Sequence, residues 1–354
     1  MKRIMVAMSG GVDSGVAACL LKQQGFDCTG VTMKLFNEES GQDGPSCCTS
    51  KDIEDAKSVA AALGIEHHVF NFTDRFRECV IERFVRAYEN GATPNPCVDC
   101  NRWLKFSRLF QSAKELGFDA VATGHYARVE YDAALGRYLL KKAVCAEKDQ
   151  SYVLYSLTQQ QLSHVLFPLG GMRKTQVREI ASEHSFINAD KRDSQDICFV
   201  KDGRYADFIR EYTGRDYPHG NFVDKDGNVL GEHKGIIRYT VGQRKGLGLS
   251  LQAPMYVCKV DKESNTVLLG SNDDLFTRSL TAEDVNLIAA EKLTSPVRLK
   301  AKVRYRQPEQ WATVEQTGEH TLHIEFDEPQ RAITKGQSAV LYDGDVVVGG
   351  GVIC

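Results

Sequence analysis

The stretch that most constrains this chain lies at its start. Ile4, Met5, Val6, Ala7 and Met8 form a short apolar run with β character, which breaks into Ser9-Gly10-Gly11-Val12-Asp13-Ser14-Gly15. From Val12 the spacing turns helical: Val12, Val16, Leu20 and Leu21 share one face, and Gly25 suits a helix terminator. A buried strand, a glycine turn and a helix N-terminus predict an anion site, because backbone N–H groups and the helix dipole converge on one spot. Gly10 and Gly11 let the backbone approach a phosphate closely, and the Ser9 and Ser14 hydroxyls can donate to it. Asp13 suits such a site when Mg²⁺ bridges it to the phosphate.

The chain has neither the Gly-Lys-Ser/Thr of a P-loop nor a G-x-G-x-x-G after this strand. Ser9–Ser14 instead resembles the SGGxDS pyrophosphate loop of the PP-loop ATP pyrophosphatases, which use ATP to adenylate a substrate. Further strands are expected at Cys28–Phe36, His68–Phe72 and Asp119–Thr123. Helices are expected at Ser50–Leu63, with Ser50 as N-cap, at Phe76–Tyr88 and at Trp103–Leu116. This alternation predicts an α/β fold, a doubly wound parallel sheet with ligands beyond the carboxyl ends of its strands. Between the second strand and the second helix, Asn37–Ser46 is polar and glycine-rich and reads as a mobile loop. Cys47-Cys48 and His67-His68 lack metal-ligand spacing and read as structural.

At 354 residues the chain exceeds what one core usually supports. The helix–strand alternation stops near Lys201, and polar turns then separate short strands. Gly235–Leu249 combines a β run with a basic, glycine-rich loop, and a last all-β segment reads as a small barrel. The expected domains are 1–200 (nucleotide-binding and catalytic), 201–280 (central, β-rich) and 281–354 (barrel). A net charge of −3 excludes a globally basic nucleic-acid binder, though not a local basic surface. No apolar run is long enough to span a bilayer, and the N-terminus enters the phosphate loop rather than a signal peptide, so the cytosol is expected. The eleven cysteines would there be buried, catalytic or metal-binding.

Two of those cysteines stand out. Thr93–Asn101 reads TPNPCVDCN, where Pro94 and Pro96 stiffen a loop that delivers Cys97 and Cys100 just before a helix starting near Asn101. A thiol there feels the positive end of the helix dipole, which favours thiolate. A lone C-x-x-C is more often half a zinc site or a redox pair, but no second pair of ligands follows. Elsewhere the residues alone say less. His125 ends a strand at the ligand edge, where a surface role and a site role weigh about equally. Lys148-Asp149-Gln150 reads as the polar start of an apolar helix at Val153–Leu157. Arg173, Lys174 and Arg178 suit a solvated helical face, and Cys198, inside Ile-Cys-Phe-Val, suits inert core.

Val297–Gln307 carries more. Arg298, Lys300, Lys302, Arg304 and Arg306 are two apart, with Leu299, Ala301, Val303 and Tyr305 on the other parity. In a strand that sets five cations on one face, a stripe of ~26–30 Å that would meet several phosphates of a nucleic acid.

Taken in order, Ser9–Ser14, Thr93–Asn101, Ala122–Tyr126, Lys148–Tyr152, Asp193–Phe199, Tyr239–Leu249 and Arg304–Tyr305 resemble the tRNA-specific 2-thiouridylases, which sulfurate the wobble uridine of certain tRNAs. The resemblance implies a PP-loop domain, a small central domain and a C-terminal β-barrel. It implies that Ala7, Met8, Ser9, Gly10, Gly11, Val12, Asp13 and Ser14 hold the ATP phosphates, with Mg²⁺, and that Met33 and Gly124 line the adenosine site. Cys100 matches the nucleophile, and Cys198 the cysteine that carries a persulfide; the two can form a disulfide during turnover. His125, Lys148, Asp149, Gln150, Arg304, Tyr305 and Gln337 match positions that contact tRNA, and Asn95, Pro96 and Cys97 the stretch beside the target base. The implied partners are the anticodon stem-loop of a tRNA and an upstream persulfide donor protein, with no membrane. One departure stands out: the family's usual N-P-D-x-x-C is here N-P-C-V-D-C, so Cys97 replaces an aspartate. Cys97, Cys100 and Cys198 form an alternative set of iron–sulfur cluster ligands. A PP-loop ligase that adenylates a small metabolite is the rival activity.

Overall fold

The computed structural model describes residues 1–36, 49–191 and 197–354, so Asn37–Ser46, Cys47, Cys48 and residues 192–196 lie outside the described residues. The chain divides into two compact units. The first comprises Met1–Val80, Cys97–Gly203 and Gly344–Val348, and the second Ile81–Pro96, Arg204–Asp343 and Gly349–Cys354.

The first unit opens with β1 (Arg3–Ala7), α1 (Val12–Gln23), β2 (Asp27–Lys34), α2 (Ser50–Leu63), β3 (Glu66–Asn71) and α3 (Thr73–Phe76). A π-helical turn, Arg77–Ile81, leads into α4 (Glu82–Glu89) of the second unit. Helix resumes with α5 (Pro96–Asp99), a π-helical segment Cys100–Arg108 and α6 (Leu109–Glu115). β4 (Ala120–Thr123), β5 (Ala127–Asp132), β6 (Arg137–Lys142), α7 (Gln159–Leu162), β7 (Val165–Leu166) and α8 (Lys174–Glu183) follow. The sheet order is β3-β2-β1-β4-β7, every pairing parallel. β1 stands between β2 and β4, so the strand order reverses at β1 and the loops leaving β1 and β4 part around a crevice. Ile4 and Val6 are fully buried in one core with Val16 and Ala17 of α1, Val59 of α2 and Val177 of α8. β5 and β6 form a hairpin whose inner strand pairs with Val346 and Val347.

Several boundaries differ from the sequence expectation. Thr49, not Ser50, caps α2: its hydroxyl accepts from the Asp52 N–H while the Asp52 carboxylate accepts from the Thr49 N–H, the reciprocal box that Asp at the third position permits. The helix expected from Asn101 already starts at Pro96, whose fixed φ and missing N–H suit a first turn. Cys97 and Cys100 therefore lie within the helix. The helix expected at Val153–Leu157 is a 3₁₀ turn, Ser151–Leu154.

In the second unit α4 packs through Phe84 and Tyr88 on Phe208 and Tyr205 of α9 (Tyr205–Thr213). β8 (Gly220–Val223), β9 (Val229–His233), β10 (Tyr256–Asp261) and β11 (Thr266–Gly270) make a sheet in the order β10-β11-β8-β9, around Phe222, Val257, Val267 and Leu269. No strand forms over Gly235–Leu249; Ile236–Arg238 is a 3₁₀ turn entered from Gly235 at φ +94°. The barrel is built from β12 (Phe276–Leu287), β13 (Val297–Lys302), β14 (Gln310–Gly318), β15 (Thr321–Arg331), β16 (Ser338–Asp343) and β17 (Val346–Ile353), closed where β12 pairs with residues 349–353 of β17. Leu299, Val314, Ile324, Phe326 and Val340 fill it.

Candidate active site

The loop between β1 and α1 is held by its own short side chains. The Ser9 N–H donates to Ser14 Oγ at 3.1 Å, and Ser14 Oγ donates to the Gly11 carbonyl at 3.0 Å. Met8 is fixed from β2, its N–H on the Val31 carbonyl and its own carbonyl accepting from Thr32 Oγ1. Gly11 at the N-cap brings no side chain to the first-turn N–H groups of α1, which leaves them to a ligand. Gly10 stands at φ +72°, and a Cβ there would lie 2.2 Å from the Asp52 carbonyl oxygen. A Cβ on Gly124, just past β4, would lie 2.8 Å from the backbone of Asp13 and Ser14. Glycine is required at both places by close approach, as a phosphate cradle needs. Met33, on β2, is 8% exposed.

Two lysines lie against this loop, and sequence reasoning gave one of them to solvent. Lys174, at the start of α8, points its ammonium at Asp13 Oδ1, 2.7 Å away, and is only 13% exposed, so the solvated-face reading of this helix fails for Lys174. The Tyr126 hydroxyl donates to the same oxygen at 2.8 Å. Lys191 binds Asp52 at 2.6 Å, Asp55 at 2.7 Å and the Gly10 carbonyl at 3.1 Å, and Asn188 Nδ2 donates to that carbonyl too. Burial pushes the Asp52 carboxyl up, but hydrogen bonds from Lys191 and Thr49 outweigh it and hold the group below its usual range. Burial likewise opposes the Lys191 ammonium, and its bonds to Asp52 and Asp55 raise its pKa overall. No local pattern marks Lys191, because its acids come from a helix far away in the chain.

Cys97 is exposed and Cys100 half-buried, three residues apart on the helix and so on one face, while Asp99 faces elsewhere. The π-helical segment that begins at Cys100 is packed by α3. Phe76 of α3 also meets Phe199, the neighbour of half-buried Cys198, ring centroids 5.7 Å apart. The segments that carry Cys100 and Cys198 thus share α3 as a neighbour. Among the described residues, which include Cys97, Cys100 and Cys198, no three side chains gather as metal ligands, and the cluster alternative finds no site.

His125 is not a surface residue. It is 7% exposed, ringed by Phe106 and Phe167, with Nδ1 2.7 Å from Thr123 Oγ1 and Nε2 3.5 Å from Lys105 Nζ. Burial, and then the Lys105 ammonium, hold its pKa well below that of an ordinary imidazole. Asp149 and Gln150 turn inward: Asp149 accepts from the Ala143 N–H and the Ser151 hydroxyl, and Gln150 Oε1 from the Tyr126 N–H. Lys148 closes the short 3₁₀ turn before them.

In the second unit, Gln337 Nε2 donates to the Thr93 carbonyl at 2.7 Å, and the Thr93 N–H donates to the Lys335 carbonyl, which fixes the chain just before Asn95 and Pro96. The expected five-cation stripe does not form. β13 ends at Lys302, and Arg304 turns in to donate through Nη2 to the Val241 and Ala332 carbonyls and Thr334 Oγ1. Arg298 pairs with Asp327 of β15 at 2.6 Å, and Lys300 lies 3.6 Å from Glu309. Acids from neighbouring segments interrupt a face that the strand alone leaves wholly basic. Tyr305 is 36% exposed, with the Lys302 ammonium 5.8 Å from its ring centre.

Among the described residues no helix is long and apolar enough to cross a membrane. Three family models match in order: a tRNA methyl transferase HUP domain over residues 2–202, a tRNA methyl transferase PRC-barrel domain over 206–271 and an aminomethyltransferase β-barrel domain over 277–353. The tRNA-specific 2-thiouridylase MnmA of Clostridioides difficile is 51% identical over 99% of this chain and 98% of its own. That of Acetivibrio thermocellus is 50% identical over 99% of each. Among solved structures, a 4-thiouridine synthetase in complex with RNA and ATP overlaps 59% of this chain and 50% of its own, at 16% identity and a TM-score of 0.36.

Proposed function

The chain belongs to the tRNA-specific 2-thiouridylase family, and from that premise we propose how its residues divide the work. It is a tRNA-uridine 2-sulfurtransferase, which uses ATP to replace the C2 oxygen of a tRNA uridine by sulfur. The methyl transferase wording of two family models does not describe this chemistry; the relatives that share half of the whole sequence are thiouridylases. One geometric observation carries the assignment of the reaction: a glycine cradle at the strand reversal point, with Cys100 on a helix of the same unit.

The C2 carbonyl of uridine is a poor electrophile and its oxygen a poor leaving group. The 9–14 loop binds the polyphosphate of ATP, Met33 and Gly124 border the adenosine, and the uridine oxygen attacks the α-phosphorus as the bond to pyrophosphate breaks. Asp13, whose Oδ1 already takes Lys174 and Tyr126, would offer its other carboxylate oxygen to Mg²⁺, which would supply Lewis-acid stabilisation of phosphate charge. The outer sulfur of a Cys198 persulfide attacks C2 and AMP leaves with the former C2 oxygen. The Cys100 thiolate then attacks Cys198 Sγ, releasing 2-thiouridine and leaving a Cys100–Cys198 disulfide for an external thiol to reduce. A persulfide donor protein reloads Cys198.

The substrate is the wobble uridine of an anticodon stem-loop, lifted from its stack, and the place is the cytosol. Asn95, Pro96 and Cys97 border the base, with His125, Lys148, Asp149, Gln150, Arg304, Tyr305 and Gln337 along the tRNA footprint. Asp149, Gln150, Arg304 and Gln337 act there by shaping the backbone, since their side chains are engaged within the protein. Domains 1–200, 201–280 and 281–354 supply catalysis, a central support and the barrel's tRNA contacts. The test is Cys100→Ser and Cys198→Ser: each binds tRNA and ATP and forms no 2-thiouridine by nucleoside analysis. Substantial product from either variant removes the role assigned to that cysteine.

A further inference from the structure

Four half-buried cations of the first unit end on an acid. Lys174 meets Asp13, Lys191 meets Asp52 and Asp55, Arg128 meets Glu130 and Asp345, and Lys141 meets Glu130. Lys105 is half-buried and has no carboxylate partner among the described residues; its ammonium meets only His125 Nε2, at 3.5 Å. A half-buried ammonium without a counter-charge is an anion site in waiting.

The placement says which anion. In a π-helix residues five apart align, and Lys105 is five past Cys100. His125 follows Gly124, where a Cβ would lie 2.8 Å from the backbone of Asp13 and Ser14 in the phosphate loop. The histidine is neutral, and an ammonium can only donate, so Nε2 is the acceptor and Nδ1–H donates to Thr123 Oγ1. His125 is thus a fixed acceptor that engages one N–H of Lys105 and leaves two for a ligand. Lys105, His125, Gly124 and the loop follow one another, with Cys100 on the helical segment that carries Lys105.

We propose that Lys105 is a catalytic residue whose ammonium, aimed by His125, binds the phosphoryl group of the nucleotide that becomes AMP. There it offsets charge that builds on the phosphate as the C2–oxygen bond breaks and the electron pair goes to AMP. The proposal rests on the sulfurtransferase reading for its timing, though its binding test stands without it.

Titration calorimetry of the full-length protein with AMP and, separately, adenosine provides the test. Lys105→Met and Lys105→Gln should each weaken AMP by about tenfold or more and leave adenosine unchanged, since only AMP carries the phosphate. Ethylammonium should restore part of the tRNA-dependent pyrophosphate release and 2-thiouridine formation of Lys105→Gln. A parallel loss for AMP and adenosine, no loss for either, or weaker tRNA binding alone would overturn the proposal. Wild-type protein that binds AMP yet never releases pyrophosphate with tRNA would instead sink the sulfurtransferase reading, with the AMP-against-adenosine difference still deciding the role of Lys105.

Discussion

The cations around the phosphate loop and those along β13 are chemically alike and differently used. Near the loop, Lys174 and Lys191 converge on carboxylates that are themselves mostly buried, and Lys191 also ties the Gly10 carbonyl to α2. Along β13, Arg298 and Asp327 face each other with about half of each side chain in solvent, and Trp311 lies beside Arg298 and Lys300. The first set fixes the backbone of the loop between β1 and α1. The second is a screened surface pattern, in which each pair is individually dispensable. An ion pair matters here according to what its removal leaves buried.

The largest effect should come from Gly10→Ala. The added Cβ meets the Asp52 carbonyl at 2.2 Å on backbone already at positive φ, so the loop must move. Expected is a loss of tRNA-dependent pyrophosphate release of about a thousandfold or more, reflecting lost loop geometry and N–H contacts to phosphate. Near-normal turnover would show that the loop is not the cradle.

Lys191→Met comes next. It leaves Asp52 and Asp55 facing one another, and after allowance for a lysine about a third exposed the expected destabilisation is ~2 kcal/mol by urea unfolding. Its pH dependence has a definite sign. The Asp52 pKa is depressed in the fold, so its contribution is present above the ordinary carboxylate value and lost as pH falls through the folded one. The Lys191 pKa is raised, so its contribution persists below the ordinary lysine value and fades only at higher pH. The gap between wild type and variant should stay flat from about pH 5 to 9 and shrink below about pH 4. A gap that widens in acid would contradict the assignment.

Arg304→Met tests the other region where it is buried. Three acceptors on two segments, Val241 and the Ala332–Thr334 turn, lose one donor group, so the second unit should lose about 1–3 kcal/mol. tRNA affinity should fall mainly through loosening of the adjoining turn, which urea unfolding and filter binding would separate. The smallest effect is expected from Arg298→Ala, with an unchanged unfolding midpoint and tRNA binding within about twofold. A loss as large as that of Arg304→Met would restore the basic face that the structure breaks up.

Much of the parallel sheet was legible because its signals are local. Short apolar runs, Gly64 and Gly117 as terminators and Ser9–Ser14 after β1 are properties of neighbouring residues; the expected strands differ by no more than about two residues at either end, while the helix closed by Gly117 starts well before its expected place. The site was legible where it is a motif and illegible where it is a meeting. Lys174, Lys191 and Lys105 carry no local mark, and His125 looks the same in sequence whether buried or exposed. The π-helical winding from Cys100 was equally hidden, since it depends on what packs around the helix.

By itself the sequence determined the α/β order, the glycine cradle and its serines, the two cysteines and the family they point to, all of which follow from backbone preference and side-chain chemistry over short spans. Tertiary structure alone decided which charges are neutralised and which are left to act. That choice depends on Coulomb and desolvation terms between residues far apart in the chain, such as Lys191 with Asp52 or Arg298 with Asp327, and no single element contains both partners.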